Sequence, residues 1–192
     1  MRLSKKGEYA LRSLINLGIA DEVGRRLVRA SELAESEQLP GKFLEQILQQ
    51  LKEAKLVASS RGKYGGFRLA KPASQISIGA VVRLIDGPLA PIGCVSQMAY
   101  EKCSCPDETH CGLRMLMLDV RNAIAGILDR YTLADVVEVT LRKMRRDNVP
   151  LPFSSAAEGA ASIQRRPADA ARRPRFAEVE GVVHQLLGDY SI

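Results

Sequence analysis

Gly41-Lys42-Phe43-Leu44-Glu45-Gln46-Ile47-Leu48-Gln49-Gln50-Leu51-Lys52-Glu53-Ala54 is followed, after one lysine, by Leu56-Val57-Ala58-Ser59-Ser60-Arg61-Gly62-Lys63-Tyr64-Gly65-Gly66-Phe67-Arg68-Leu69-Ala70. In the first stretch Phe43, Leu44, Ile47, Leu48 and Leu51 recur at spacings of three and four, and Lys42, Glu45, Gln46, Gln49, Gln50 and Lys52 take the other faces. That period predicts an amphipathic helix from Pro40 or Gly41 to Ala54. In the second, Leu56–Arg61 and Phe67–Ala70 are short extended runs around the Gly-rich turn 62–66, which predicts a hairpin ended by Pro72.

Upstream, Tyr9, Ala10, Leu11, Leu14, Ile15, Leu17 and Ile19 recur at helical spacing over Ser4 to Ala20, with Ser4 placed to cap the first turn. A polar turn at 21–26 leads to a short second helix at 30–35, broken by Gln38-Leu39-Pro40-Gly41. Three short helices and a hairpin form a winged helix-turn-helix, in which the third helix enters the major groove and the wing follows the backbone or reaches the minor groove. Lys42, Gln46, Gln49 and Gln50 are then candidates for base contact, because Gln pairs bidentately with adenine and Lys reaches guanine or phosphate. Arg61, Lys63 and Arg68 on the wing are candidates for the sugar-phosphate backbone, Arg61 foremost.

The charge agrees. The chain has 192 residues and a formal net charge of +6, and residues 1–71 hold 14 of the 28 basic but only 8 of the 22 acidic residues. A positive excess confined to the first third points that third at a polyanion. No run approaches the roughly 18 apolar residues of a membrane span. The start, Met1-Arg2-Leu3-Ser4-Lys5-Lys6-Gly7, lacks the apolar stretch of a secretory signal, so a cytoplasmic location and reduced or metal-bound cysteines are expected.

Downstream, Ser77 caps an expected linking helix within 72–87, carrying Ile78, Val81, Val82, Leu84 and Ile85 and stopping at Asp86-Gly87-Pro88. A cysteine loop fills 88–111. A long helix from Cys111 to Tyr131 has Leu113, Leu116, Met117, Val120, Ile124, Ile127 and Leu128 near one side, an expected dimerisation face, and Thr132 with Asp135 caps a last helix to about Arg146. The fold class expected is mainly α with a small β-wing. Past Asn148 the composition turns to Pro, Ala, Ser and Arg, which predicts a disordered tail over 148–192, with Phe176 to Leu187 either a docking helix or part of that tail.

Cys94, Cys103, Cys105 and Cys111 are all the cysteines of the chain and fall within 18 residues, at gaps of eight, one and five. Structural zinc usually shows pairs two to four apart, and no such knuckle is present. A flexible loop spaced Cys94-x10-Cys105-x5-Cys111 allows thiolates to converge on an iron-sulfur cluster. A thiol redox switch and zinc are the alternatives. An enzyme is not expected, since His110 and His184 are the only histidines and neither completes a nucleophile-base set.

Residues 1–10, Phe43-Leu44-Glu45-Gln46-Ile47-Leu48, Leu56-Val57 with Arg61-Gly62-Lys63-Tyr64-Gly65-Gly66-Phe67, and Thr132-Leu133-Ala134-Asp135-Val136 together resemble the IscR/NsrR/RirA family of regulators. The likeness covers about residues 1–146. It implies a homodimer on double-stranded promoter DNA, domain-exchanged long helices, and a cluster, 2Fe-2S or 4Fe-4S, in the loop before the long helix, whose status sets repression or activation. The family's usual three cysteines fit Cys94, Cys105 and Cys111, and Cys103 is additional, either as a replacement for Cys105 or as a fourth ligand. Arg114 stands where a ligating His is expected after the last Cys. His110 and Glu8, the latter reaching in from the first helix of the partner copy, are the substitutes that the resemblance leaves.

Overall fold

The computed structural model describes residues 2–154. Six helices and one two-stranded sheet follow in the order α1 (Lys5–Glu22), α2 (Ala30–Glu37), α3 (Gly41–Glu53), β1 (Val57–Ser60), β2 (Gly66–Leu69), α4 (Ile78–Asp86), α5 (Gly112–Arg130) and α6 (Leu133–Arg146). The chain is mainly α with a small β-wing, as its sequence predicts. The remainder of the expected tail, Phe176 to Leu187 included, lies outside the described residues.

α1 is the central helix and packs against α2, α3, α4, α6 and β2. Its apolar side, Ala10, Leu14 and Leu17, meets Leu44, Ile47, Leu48 and Leu51 of α3 in one buried cluster. Capping sets the helix starts. Ser4 Oγ accepts from Gly7 N at 3.0 Å, and Ser77 Oγ from Ala80 N at 3.4 Å. Thr132 and Asp135 form the reciprocal box, with Asp135 N on Thr132 Oγ1 at 3.3 Å and Thr132 N on Asp135 Oδ2 at 2.8 Å.

The wing pairs antiparallel, Val57 with Leu69 through Ser60 with Gly66. A third segment joins it that the pattern of the hairpin alone did not reveal. Val28, between α1 and α2, exchanges backbone hydrogen bonds with Phe67 at 3.0 and 2.8 Å. A Cβ on Gly66 would lie 2.7 Å from the Val28 carbonyl oxygen, so glycine is what lets these backbones approach.

α6 returns to its own chain. Leu133, Val137 and Leu141 are buried in the α1–α3 cluster, and a bridge between Ser77 and Thr132 ties the α5–α6 junction to the start of α4. Past α6 the chain stays packed a little further than the sequence predicts: Val149 N reaches Met144 O at 2.9 Å, and Leu151 and Phe153 rest against the core. α5 differs from every other helix of more than eight residues, because none of its residues is buried. No helix among the described residues is long and apolar enough to cross a membrane.

Candidate functional site

Two groups of residues face outward from this frame, and the first is the basic face of α3 and the wing. Lys42, Gln46 and Gln49 are exposed along α3, as are Arg61, Lys63 and Arg68 on the wing. Gln49 Nε2 donates to Glu53 Oε1 at 2.9 Å, and Arg68 Nη1 donates to the Leu69 carbonyl at 3.2 Å. Gln50 departs from the reading of the sequence. Its Nε2 donates to the Leu84 carbonyl of α4 at 3.3 Å, so its amide nitrogen is engaged with α4. Helical periodicity placed it on the polar side of α3, but the neighbour on that side was not legible.

Two contributors to this face were missed. Arg29, just before α2, donates Nη2 to the Lys63 carbonyl at 3.1 Å and so holds the tip of the wing. Tyr64 is 79% exposed, with Lys63 Nζ 5.6 Å from its ring centroid. The apolar pair Leu27-Val28 between two helices was the signal that this segment joins the wing.

The second group is the cysteine loop. Cys94 sits buried in a 3-10 turn, Gly93–Val95. Cys111 caps α5, its Sγ accepting from Arg114 N at 3.4 Å. Cys103 and Cys105 lie between them, half-buried. All four line one cavity of about 290 Å³ together with Glu101, Lys102 and Arg114. Among the described residues no three of His, Cys, Asp and Glu converge as tightly as one metal ion requires. The thiols ring a space instead of a point.

Their electrostatics are mutual. Burial pushes the Cys94 thiol up, with the Cys103 thiolate and Glu108 adding to it. A hydrogen bond from Cys105 holds Cys103 below the usual thiol range, and the same contact, with burial, raises Cys105 to about 11. The loop is braced by Glu108, Arg114 and Arg121. Glu108 accepts from the Tyr100 hydroxyl at 2.7 Å and pairs with Arg114 Nε at 3.1 Å, which is why Tyr100 ionises later than a free phenol. Arg121 of α5 donates to the Val95 carbonyl at 3.0 Å.

Neither substitute ligand of this chain lines the chain's own cavity. His110 is 82% exposed and its Nδ1 lies 2.6 Å from Asp107 Oδ2; it does not line the cavity. Glu8 sits on α1 in ion pairs with Lys5 at 2.8 Å and Arg12 at 3.5 Å.

Residues 3–139 match the family described as Rrf2: Iron-dependent Transcriptional regulator. The chain belongs to the Rrf2 family. It is 40% identical over 139 residues to the rrf2-like HTH-type transcriptional regulator of Rhodobacter capsulatus, covering 70% of this chain and 91% of that one. The HTH-type transcriptional regulator IscR of Serratia proteamaculans is 32% identical over 137 residues, 71% of this chain and 79% of that one. Among solved structures, CymR (YrzC), the global cysteine regulator of Bacillus subtilis, superposes with a TM-score of 0.61 at 29% identity, covering 72% of this chain and 98% of that chain. An Rrf2 transcriptional regulator is thus the coarse function, and its relatives are named as regulators, not enzymes. IscR and CymR are differently named members, so membership of the Rrf2 family leaves the sensing chemistry to the residues of the loop.

Proposed function

We propose that this chain is a homodimeric transcriptional regulator that binds double-stranded promoter DNA through α3 and the wing, and that an iron-sulfur cluster in the 88–111 loop controls its affinity. The observation that carries the reading is the single cavity shared by Cys94, Cys103, Cys105 and Cys111, whose thiols come from a buried turn, an open loop and a helix cap. The donor set fits the group. A structural zinc ion wants four donors about 2.3 Å from one centre, whereas a cluster distributes its thiolates over more than one iron, and four cysteines around a cavity suit that distribution.

Such a cluster supplies a centre that oxidation or a small reactive ligand can alter or remove. The chain's own residues do the rest. Cys111 is fixed by capping α5, and Arg121 fixes the turn that bears Cys94, so α5 sets the spacing between the two outer thiols. Arg114, which stands where a ligating histidine is expected, is paired with Glu108, and Cys103, which lines the same cavity, would be the fourth ligand. On the DNA side, Arg61, Lys63 and Arg68 neutralise phosphates, while Lys42, Gln46 and Gln49 face the base edges.

The test is chemical analysis of anaerobically purified protein. Iron, acid-labile sulfide and visible absorbance are expected, and Cys94→Ser should abolish all three while leaving the α1–α3 core folded. Protein without iron and sulfide defeats the cluster. A second reading, a thiol switch, is favoured by the Cys103–Cys105 contact. Two thiols would give two protons and two electrons to hydrogen peroxide, forming one S–S bond and two waters. Mass spectrometry after alkylation of peroxide-treated, iron-free protein would show that disulfide, with reversal by thiol.

A further inference from the structure

α4 meets the cysteine-bearing part of the chain and the DNA-facing part through two polar joints on adjacent residues. Arg83 donates Nη1 and Nη2 to Asp129 Oδ1 and Oδ2 at 2.6 and 2.7 Å. This bidentate geometry fixes orientation as well as distance. Space for it is made by Gly79, where a Cβ would lie 2.0 Å from Asp129 Oδ1 and 2.9 Å from Arg83 Nη1. The next residue along, Leu84, offers its carbonyl to Gln50 of α3 at 3.3 Å. The Gln50 Oε1 is buried without a hydrogen-bond partner among the described residues, so the amide is held on one side only and follows α4.

The far end of α5 is the cysteine cavity. Cys111 caps its first turn, and Arg121 grips the carbonyl next to Cys94. Asp129 stands one residue from the other end. A helix of 19 residues spans about 28 Å at 1.5 Å per residue and moves as one piece. A change in the spacing of Cys94 and Cys111 is thereby delivered to Asp129, from there to Arg83, and through the Leu84 carbonyl to the recognition helix. Ser4 also holds α4, donating its backbone N to Asp86 at 2.9 Å and its hydroxyl at 2.5 Å, so the end of α4 is tied to the start of α1.

We propose that Arg83, Asp129 and Gln50 are positioning residues that convey the state of the cysteine loop to α3. The proposal rests on the cluster reading above. Coupling between two sites is a free energy, and its signature is a ratio of affinities, not an affinity. A merely structural contact would lower DNA binding equally in both states; a positioning contact erases the difference between them.

The experiment uses the full chain and a duplex that the wild-type protein has itself selected from a random pool. Apparent Kd is measured for anaerobic protein reconstituted with ferrous iron and sulfide, and for the same protein stripped with a chelator. In Arg83→Lys, Asp129→Asn and Gln50→Leu the ratio of the two values is expected to shrink about fivefold or more, with iron content and melting temperature close to wild type. The reciprocal pair Arg83→Asp with Asp129→Arg should restore part of it. Gln50→Leu lies on a half-exposed position and tests the second joint even if the charge variants fold poorly. An unchanged ratio, an equal loss in both states, or iron loss caused by Asp129→Asn overturns the inference alone, whereas wild-type protein that holds iron but shows a ratio of one overturns the proposed control of affinity and the inference with it. Wild-type protein that holds no iron overturns the cluster reading itself, and the inference with it.

Discussion

α3 and α5 carry similar apolar stripes and meet opposite fates. On α3, Leu44, Ile47, Leu48 and Leu51 are all buried against α1. On α5, Leu113, Met115, Leu116 and Ile127 are each more than half exposed. The first stripe is satisfied within the chain, and the second is not. Exposed apolar side chains grouped on a helix mark an interaction surface, and in the dimer proposed above a second copy of the same helix offers a matching one. What the difference teaches is that one stripe is spent on folding while the other stays open, with the cysteine cavity placed at the start of the helix that keeps it open.

The largest effect that would test the contrast is in the core. Leu48→Ala on α3 should cost about 2–5 kcal/mol in denaturant unfolding, because the side chain is fully enclosed; a loss under 1 kcal/mol would mean that this stripe is no more anchored than that of α5. Next, Leu116→Asp combined with Ile127→Asp should convert dimer to monomer in analytical ultracentrifugation while helical content by circular dichroism stays close to wild type. A dimer that survives both changes places the interface elsewhere. Between them in kind, Arg61→Ala should weaken DNA binding for all sequences alike and reduce the slope of log affinity against log salt by about 1.

Smaller effects sharpen the picture at the α5–α6 junction. Thr132→Ala removes the cap of α6 and is expected to cost about 1 kcal/mol in the same unfolding assay. The Arg83 guanidinium holds the Asp129 carboxyl below the usual carboxylate range. That contribution is complete above the ordinary carboxylate pKa and is lost as pH falls through the lowered value, so an acid titration of Asp129→Asn should run flatter than wild type below about pH 4. The pair is partly exposed, at 25% and 46%, and after solvent screening the difference is about 0.5 kcal/mol.

Much of the fold was legible because its signals are local. Ser4, Ser77 and the Thr132–Asp135 box cap where the sequence places them, and of the five apolar residues that the 3.6-residue period of α3 picks out, four are buried and Phe43 is half-buried. What escaped was non-local. Val28 pairs with Phe67 across 39 positions, and Arg29 reaches the Lys63 carbonyl across 34; neither partner is marked by periodicity. Gln50 is the plainest case. A polar residue on the polar side of a helix reads as groove-facing, and only the position of α4 shows that it is occupied with the Leu84 carbonyl. The cysteines were legible as a set by number and spacing, while their common cavity, and the exclusion of His110 from it, depend on how the loop folds over the start of α5.

Native mass spectrometry of anaerobically isolated protein tests the account most directly, because one spectrum reports assembly and loading together. The account predicts a species of two 21.0 kDa chains carrying additional mass accountable as iron and sulfide on each chain, lost in Cys94→Ser. A single chain without that mass, under conditions in which the protein still selects DNA, would contradict it.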